Sequence, residues 1–158
     1  MGIPVFEPYK GGNQTFKKDG WYLKAFPVEH DGVENRGVYI MSPSGQKIVY
    51  CSDFEYIGHK FAKLGVNHFL IECNHNDVVD KEANVGKYEH VLKGHSSTST
   101  VCEFLRVNKT DQLKTIILCH LSDDNADAKD MVYRVKEVVG ENVNVFVAGK
   151  GVSIDLDE

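Results

Sequence analysis

The segment KTIILCHLSDDN, from Lys114 to Asn125, gives the clearest indication of the fold that we predict for this sequence. Its apolar run, Thr115 to Cys119, has the length and β-favouring composition of a buried strand. The run ends at His120. Ser122 then stands where a helix N-cap is expected, and two aspartates follow it in what would be the first turn. An apolar stripe follows at helical spacing and closes at Gly140. His120 is therefore expected at the carboxyl end of a strand, where open α/β sheets carry ligands, although a carbonyl-bonded core histidine fits this position equally well.

The composition is that of a soluble globular protein, with 42% hydrophobic and 26% charged residues among 158. One domain covering residues 1–158 is long enough to bury a core. The net charge of −5 argues against broad binding of nucleic acid unless metal ions supply positive charge. No apolar run reaches membrane-spanning length and no signal-peptide pattern is present, so we expect a cytoplasmic protein without a membrane partner.

The four cysteines are isolated in apolar segments and form no CxxC pair, which favours buried free thiols over a zinc ribbon.

The chain is β-rich first and then alternates between strands and helices. The remaining predicted strands are Ile3–Phe6, Trp21–His30, Gly37–Ser42, Lys47–Asp53 and Asn67–Asn74, with two short strands around Gly149–Gly151 at the end. A turn is predicted at Pro43–Gly45, and helices are predicted at Tyr56–Leu64, in part of Asp77–Lys93, and after a cap at Ser96 or Ser97.

Three residues that suit a metal ion each terminate a predicted strand: His30, Asp53 and His120. Imidazole and carboxylate are natural ligands of zinc, manganese and iron, and a carboxylate can bridge two ions. Such a pair activates water and stabilises the attacking and leaving oxygens of a phosphodiester. Plain structural residues in an unrelated α/β fold are the alternative.

The segment GHSSTS, residues 94–99, adds a candidate anion site. His95, with Ser96 and Ser97 ahead of a helix, offers donors suited to a phosphate, although a capped helix with a solvent-facing histidine explains the same residues. His75 in ECNHND follows the Phe69–Cys73 run at the same edge, where an ordinary turn is the alternative.

Together the motifs VEHD, YCSDFEYI, ECNHN, GHSSTS and CHLSDDN resemble those of metallo-β-lactamase-fold hydrolases, in particular the WalJ-like exonuclease branch. The resemblance implies that His30 ligates a first metal, that Asp53 bridges two metals and that His120 ligates the second. It places His95 on the phosphate side, and we take His95 and His75 as candidate catalytic residues.

The sequence departs from that family because the HxHxDH motif is absent. The resemblance therefore implies an α/β fold that is the carboxy-terminal half of an αββα sandwich, a mixed sheet with helices on one face. Its site for one or two divalent ions, zinc or manganese, would be incomplete, and its open sheet face would invite an amino-terminal-half partner chain or a homodimer.

Two functional hypotheses follow from these features. The first is a metal-dependent phosphodiesterase or nuclease that needs the missing half, with a phosphodiester or nucleic-acid substrate. The second is a catalytically inactive binding or interaction module that uses the exposed sheet.

Overall fold

The computed structural model describes residues 15–77 and 94–156, which contain seven strands and two α-helices. The strands are β1 (Thr15–Lys18), β2 (Trp21–Val28), β3 (Asn35–Met41), β4 (Lys47–Cys51), β5 (His68–Glu72), β6 (Thr115–Cys119) and β7 (Asn144–Val147). The helices are α1 (Thr98–Asn108) and α2 (Ala128–Val139). The predicted strand Ile3–Phe6 and nearly all of the predicted partial helix at Asp77–Lys93 lie outside the described residues.

All seven strands form one mixed sheet in chain order. Strands β1 to β4 are antiparallel neighbours, and β4 to β7 are parallel. The predicted turn at Pro43–Gly45 joins β3 to β4, and the N–H of Gly45 donates to the carbonyl of Ser42 over 3.0 Å. The change to parallel pairing matters for function because the carboxyl ends of β4, β5 and β6 meet at one edge.

Both helices pack on the same face of the sheet. Alternate residues of the parallel strands, such as Phe69 and Ile116, share a buried cluster with Leu105 of α1 and Met131 of α2. This alternation is the expected result of side chains pointing to opposite faces along each strand. The predicted mixed sheet with helices on one face is therefore confirmed.

The opposite face carries a row of apolar residues across four strands. Tyr50, Leu70, Ile117 and Phe146 are consecutive cross-strand partners, so their side chains lie on one face. Tyr50 is 45% exposed and Phe146 is 40% exposed. We call these four residues the open face.

The predicted helix at Tyr56–Leu64 is wrong. The Glu29 N–H donates to the carbonyl of Tyr56 over 3.1 Å, and the Glu55 N–H donates to the carbonyl of Glu29 over 2.8 Å. These bonds hold the segment against the end of β2, so its first residues cannot enter helical pairing. Only a 3₁₀ turn at Ala62–Leu64 forms, and Gly65 ends it with a φ of 60°.

The predicted cap of α2 at Ser122 is also wrong. The Ser122 hydroxyl accepts from the N–H of Asn125 over 3.3 Å in a turn, and the helix begins later. Asp127 is the N-cap, because its carboxylate accepts from the N–H groups of Lys129 and Asp130. The predicted end of this helix at Gly140 is confirmed.

The chain end differs from prediction as well. In residues 144–156 only β7 is a strand, and the second predicted strand does not form. The Val152 N–H donates to the carbonyl of Gly149 in a turn, and β7 remains the edge of the sheet. None of the helices in the described ranges has the length and apolar character needed to span a membrane.

Candidate metal centre

Three consecutive parallel strands each bring one polar side chain to the same edge. Asp53 follows the end of β4, Glu72 is the last residue of β5, and His120 comes directly after β6. Because these strands are parallel neighbours, their carboxyl ends lie side by side. The extended pairing continues past the strands, since the Cys73 N–H donates to the carbonyl of Cys119 over 3.0 Å.

His95 reaches this edge from the segment ahead of α1. The chain forms a parallel bridge between His75 and Ser97, and the Asn74 N–H donates to the carbonyl of Ser96 over 2.9 Å. The Ser97 hydroxyl caps α1 by accepting from the N–H of Thr100, as the sequence predicts for one of the two serines. The bridge and the cap together fix the position of His95 beside the end of β5.

The four side chains form one cluster. Each offers a ligand atom, and these atoms all lie within 4.8 Å of one another. His120 Nδ1 lies 3.0 Å from Asp53 Oδ1 and 3.0 Å from Glu72 Oε2. His95 Nδ1 lies 2.9 Å from Glu72 Oε1 and 4.0 Å from Asp53 Oδ1.

The side chains of the cluster range from fully buried to half-exposed. The Glu72 side chain is fully buried, whereas those of Asp53 and His120 are 52% and 43% exposed. Two carboxylates this close repel each other unless a cation lies between them. Mixed imidazole and carboxylate ligands suit zinc or manganese, so the donor set fits a divalent ion that approaches from the exposed side.

Two residues of the cluster have a backbone conformation that L-residues rarely adopt. Asp53 has a φ of 53° and His120 a φ of 56°. Left-handed conformations at non-glycine residues cost about 1 kcal/mol or more and concentrate at functional sites. With this conformation, both side chains meet at the shared edge directly after their strands.

The structure brings together two of the three predicted metal ligands, Asp53 and His120. His30 lies close by but outside the cluster of four. Its ring centroid is 5.7 Å from that of His95, and its Nδ1 is 2.6 Å from the carbonyl oxygen of Gly94. Its role as a ligand of a first metal stays a prediction.

His75, a candidate catalytic residue, lies next to the cluster but is only 2% exposed. Its Nδ1 is 2.7 Å from the carbonyl oxygen of Asn76. It lines a cleft of about 450 Å³ together with Glu55, Tyr56, Asp77, His95, Ser97, Thr100 and Glu103. Because three carboxylates line this cleft, an anionic substrate needs an added positive charge there.

The expected anion site at the start of α1 does not form from backbone donors. The N–H of Thr98 donates to the carbonyl of His75, that of Ser99 donates to Asp77, and that of Thr100 donates to Ser97. The helix N-terminus therefore has its first-turn donors engaged within the protein. Of the GHSSTS segment, the His95 side chain remains the candidate for contact with a substrate.

Asp77, which closes the far side of this cleft, is held as an ion-paired carboxylate. Burial alone would raise its pKa, but hydrogen bonds from Ser99 and the nearby Arg134 guanidinium outweigh burial and lower the pKa. Asp77 is therefore a structural charge that ties the segment after β5 to both helices.

Glu72 is the member of the cluster that sequence reasoning missed. It stands within the apolar run Phe69–Cys73, and the sequence pattern predicts only a strand residue at this position. The available signal was its chemistry, because an acid inside a buried strand must find partners. The structure supplies these as His95, His120 and the N–H of Ser96.

The cysteines near the cluster are free thiols, as predicted. Burial, with a smaller contribution from Glu72 and Asp53, raises the pKa of Cys119 to about 12. Burial, followed by Glu72, also raises the pKa of Cys51 strongly. These thiols stay protonated at neutral pH, so they are poor metal ligands and poor nucleophiles.

Comparison with known proteins identifies the fold. No protein-family model matches the chain, and no curated protein matches it. Among solved structures, a diphosphatase from the PhnP family matches 92% of this chain with a TM-score of 0.58 and 14% identity. Zn²⁺-bound PqqB from Methylobacterium extorquens matches 91% with a TM-score of 0.59 and 14% identity.

Both of these proteins have the metallo-β-lactamase fold, which confirms the predicted fold class. The chain covers 47% of the diphosphatase and 54% of PqqB. It therefore spans about half the length of the structures that it matches.

Proposed function

We propose that this chain contributes the metal-binding edge of a metal-dependent hydrolase whose reaction is phosphodiester hydrolysis. The observation that carries the proposal is the convergence of two carboxylates and two imidazoles at one sheet edge, Asp53, Glu72, His95 and His120. A bound divalent ion, zinc or manganese, supplies an activated water and neutralises charge on a phosphoryl oxygen. The motif resemblance narrows the class to a nuclease of the WalJ-like branch.

Each side chain has a distinct part in this proposal. Asp53 and His120 hold the ion, because both side chains are half-exposed and Asp53 Oδ1 lies 3.0 Å from His120 Nδ1. His95 borders the cleft and contacts the substrate phosphate, and His75 behind it supports the cleft wall. His30 is the proposed ligand of a first metal, so that the complete centre holds two ions.

The proposed enzyme needs further ligands from outside this chain. A catalytic zinc site takes three protein ligands and a water for each ion, and the two-ion centre exceeds what Asp53, His120 and His30 can supply. The open face supports the same conclusion, because Tyr50 and Phe146 expose apolar area that a second sheet would cover. The partner is an amino-terminal half with its own ligands or a second copy of the chain.

The test measures bound zinc and manganese on the purified chain and its hydrolysis of a chromogenic phosphodiester. We expect binding that Asp53→Ala and His120→Ala abolish. His59→Ala, an exposed histidine outside the cluster, serves as the control. Hydrolysis by the chain alone would reject the need for a partner. If the wild-type chain bound neither zinc nor manganese, the metal centre would be rejected.

An inactive interaction module is the second candidate, and the exposed open face favours it. This function requires the apolar row but not the cluster. Substituting Tyr50 and Phe146 by serine would then abolish the biological effect, whereas Asp53→Ala and His120→Ala would leave it intact. The hydrolase proposal expects the loss of effect in both sets of variants.

A further inference from the structure

We propose that a second cleft, separate from the metal centre, binds a free nucleoside phosphate. This cleft has a volume of about 560 Å³ and lies between strands β1 to β3 and the segment 58–64. None of the four residues of the metal cluster lines it. We call it the lysine cleft, and its lining includes Lys17, Tyr22, Lys24, Tyr39 and Lys60.

The register of β1 to β3 sets one wall of the lysine cleft. Lys17 is the cross-strand partner of Tyr22, and Lys24 is the partner of Tyr39. Because residues two apart on a strand share a face, all four side chains lie on the same side of the sheet. The sheet therefore places two lysines and two tyrosines next to one another.

The lysine cleft is positively charged in a protein whose net charge is −5. Lys17, Lys24 and Lys60 are all exposed, and Lys60 comes from the opposite wall, the segment 58–64. Among the residues that the structure describes, no aspartate or glutamate lines this cleft or pairs with these three ammonium groups. The cleft beside His95 differs, because three carboxylates line it. The lysine cleft consequently attracts an anion without a metal ion.

Aromatic side chains line the same cleft. The rings of Tyr22 and Tyr39 meet edge to face, with their centroids 6.2 Å apart, and both residues are partly exposed. Lys17 Nζ lies 5.5 Å from the centroid of the Tyr22 ring, so an ammonium group stands next to aromatic surface. The buried residues Phe26 and Phe61 add apolar lining. The cleft thus offers partners for a planar ring and for an anion together.

A nucleoside phosphate combines these two groups, since its phosphate pairs with ammonium groups and its base stacks on aromatic side chains. The volume of the lysine cleft is within the usual range for small-molecule sites, about 300–1,000 Å³. A nucleic-acid strand is less suited. The next cleft toward the metal centre contains Glu29, and the cleft beyond it contains Glu55 and Glu103, so a strand would have to pass these carboxylates.

The lysine cleft and the metal centre lie at different ends of β3. Asn35, the first residue of β3, donates its side-chain amide to the carbonyls of Ser52 and Asp53 at the metal edge. Tyr39 is four residues farther along the strand, or about 13 Å at the usual rise per residue. Nucleotide binding beside Tyr39 can therefore be tested separately from metal binding.

The experiment measures the binding of adenosine monophosphate to the chain by calorimetry, with a chelator present to remove metal ions. The double variant Lys24→Glu/Lys60→Glu should bind at least about tenfold more weakly than the wild type, because two attractions become repulsions. The control Lys18→Glu/Lys63→Glu has the same net charge and changes exposed lysines outside the cleft, so its affinity should be unchanged. Equal losses in the two variants would overturn the inference.

Two parts of the ligand test the lining. Adenosine lacks the phosphate and ribose phosphate lacks the base, and each should bind at least about tenfold more weakly than adenosine monophosphate. Ribose phosphate that bound as tightly as adenosine monophosphate would contradict a role for the aromatic side chains and overturn the assignment to a nucleoside phosphate.

Asp53→Ala separates this inference from the proposed function. The variant should bind adenosine monophosphate like the wild type, even where its zinc binding is lost. Loss of nucleotide binding in Asp53→Ala would place the nucleotide at the metal edge and overturn the inference. Failure of the wild type to bind adenosine monophosphate, including the case in which it binds only a single-stranded oligonucleotide, would also overturn it, whatever the result for zinc.

Discussion

His120 Nδ1 lies 3.0 Å from Asp53 Oδ1, although the two residues follow different strands of the sheet. Each has a left-handed backbone, with φ near 55°, directly after its strand. Parallel strands with the same exit conformation therefore point a carboxylate and an imidazole at one place. This repeated geometry is what makes the edge suitable for a cation.

Asp53→Asn should weaken zinc binding by about tenfold or more, because the amide carries no charge and is a poor ligand. Asparagine tolerates the left-handed conformation that Asp53 adopts, so the melting temperature should stay near that of the wild type. Isothermal titration calorimetry and thermal unfolding measure the two quantities. Asp123→Asn, which changes an exposed acid, should alter neither.

Asp127→Ala should destabilise the protein by about 0.5–2 kcal/mol, because it removes the carboxylate that caps α2. Ser122→Ala should cost less, since it removes only the long turn contacts of the hydroxyl with the N–H of Asn125 (3.3 Å) and with its side-chain amide (3.2 Å). Urea unfolding of the two variants compares them. A larger loss in Ser122→Ala would place the start of α2 where the sequence alone predicts it.

The strand ends were predictable because each apolar run stops at a polar residue. That rule located Asp53 and His120, and the parallel order of the strands then brought them together. It failed for Glu72, because a residue inside the run is assigned to the strand whatever its charge. Only the structure shows that its partners come from two other segments.

The other differences have a similar cause. Local pattern cannot see the Glu29–Tyr56 bridge that prevents a helix after β4. It also cannot choose between Ser122 and Asp127, since both precede helix-forming residues and both are good caps. The contact of the His30 ring with the carbonyl of Gly94 is also invisible to local pattern, because the fold brings together two distant parts of the chain.

Gly37→Ala should destabilise the sheet by about 1–3 kcal/mol. Gly37 is the cross-strand partner of Phe26, whose ring lies over it, and an added Cβ would overlap that ring. Gly58→Ala is the matched control, because its Cβ would meet only Tyr56 at an ordinary 3.8 Å. Equal unfolding free energies for the two variants would contradict the packing of Phe26 on Gly37.

The buried thiols should make the protein less stable in alkali. Burial raises the pKa of Cys73 to about 12, from an ordinary value of 9.0. Between these values the unfolded chain loses the thiol proton and the folded chain keeps it. The free energy of unfolding therefore falls as pH rises, by up to about 1.4 kcal/mol per pH unit for this thiol.

Cys73→Ala isolates this contribution. The substitution lowers stability at every pH by leaving a small cavity, but it removes the thiol that titrates. Its unfolding free energy should consequently decline less steeply than that of the wild type from pH 9 to pH 11, with the two curves parallel below pH 8. Urea unfolding across this range measures both slopes. Equal slopes would mean that the folded chain releases the Cys73 proton as readily as the unfolded chain does, which its burial beside Thr98 does not allow.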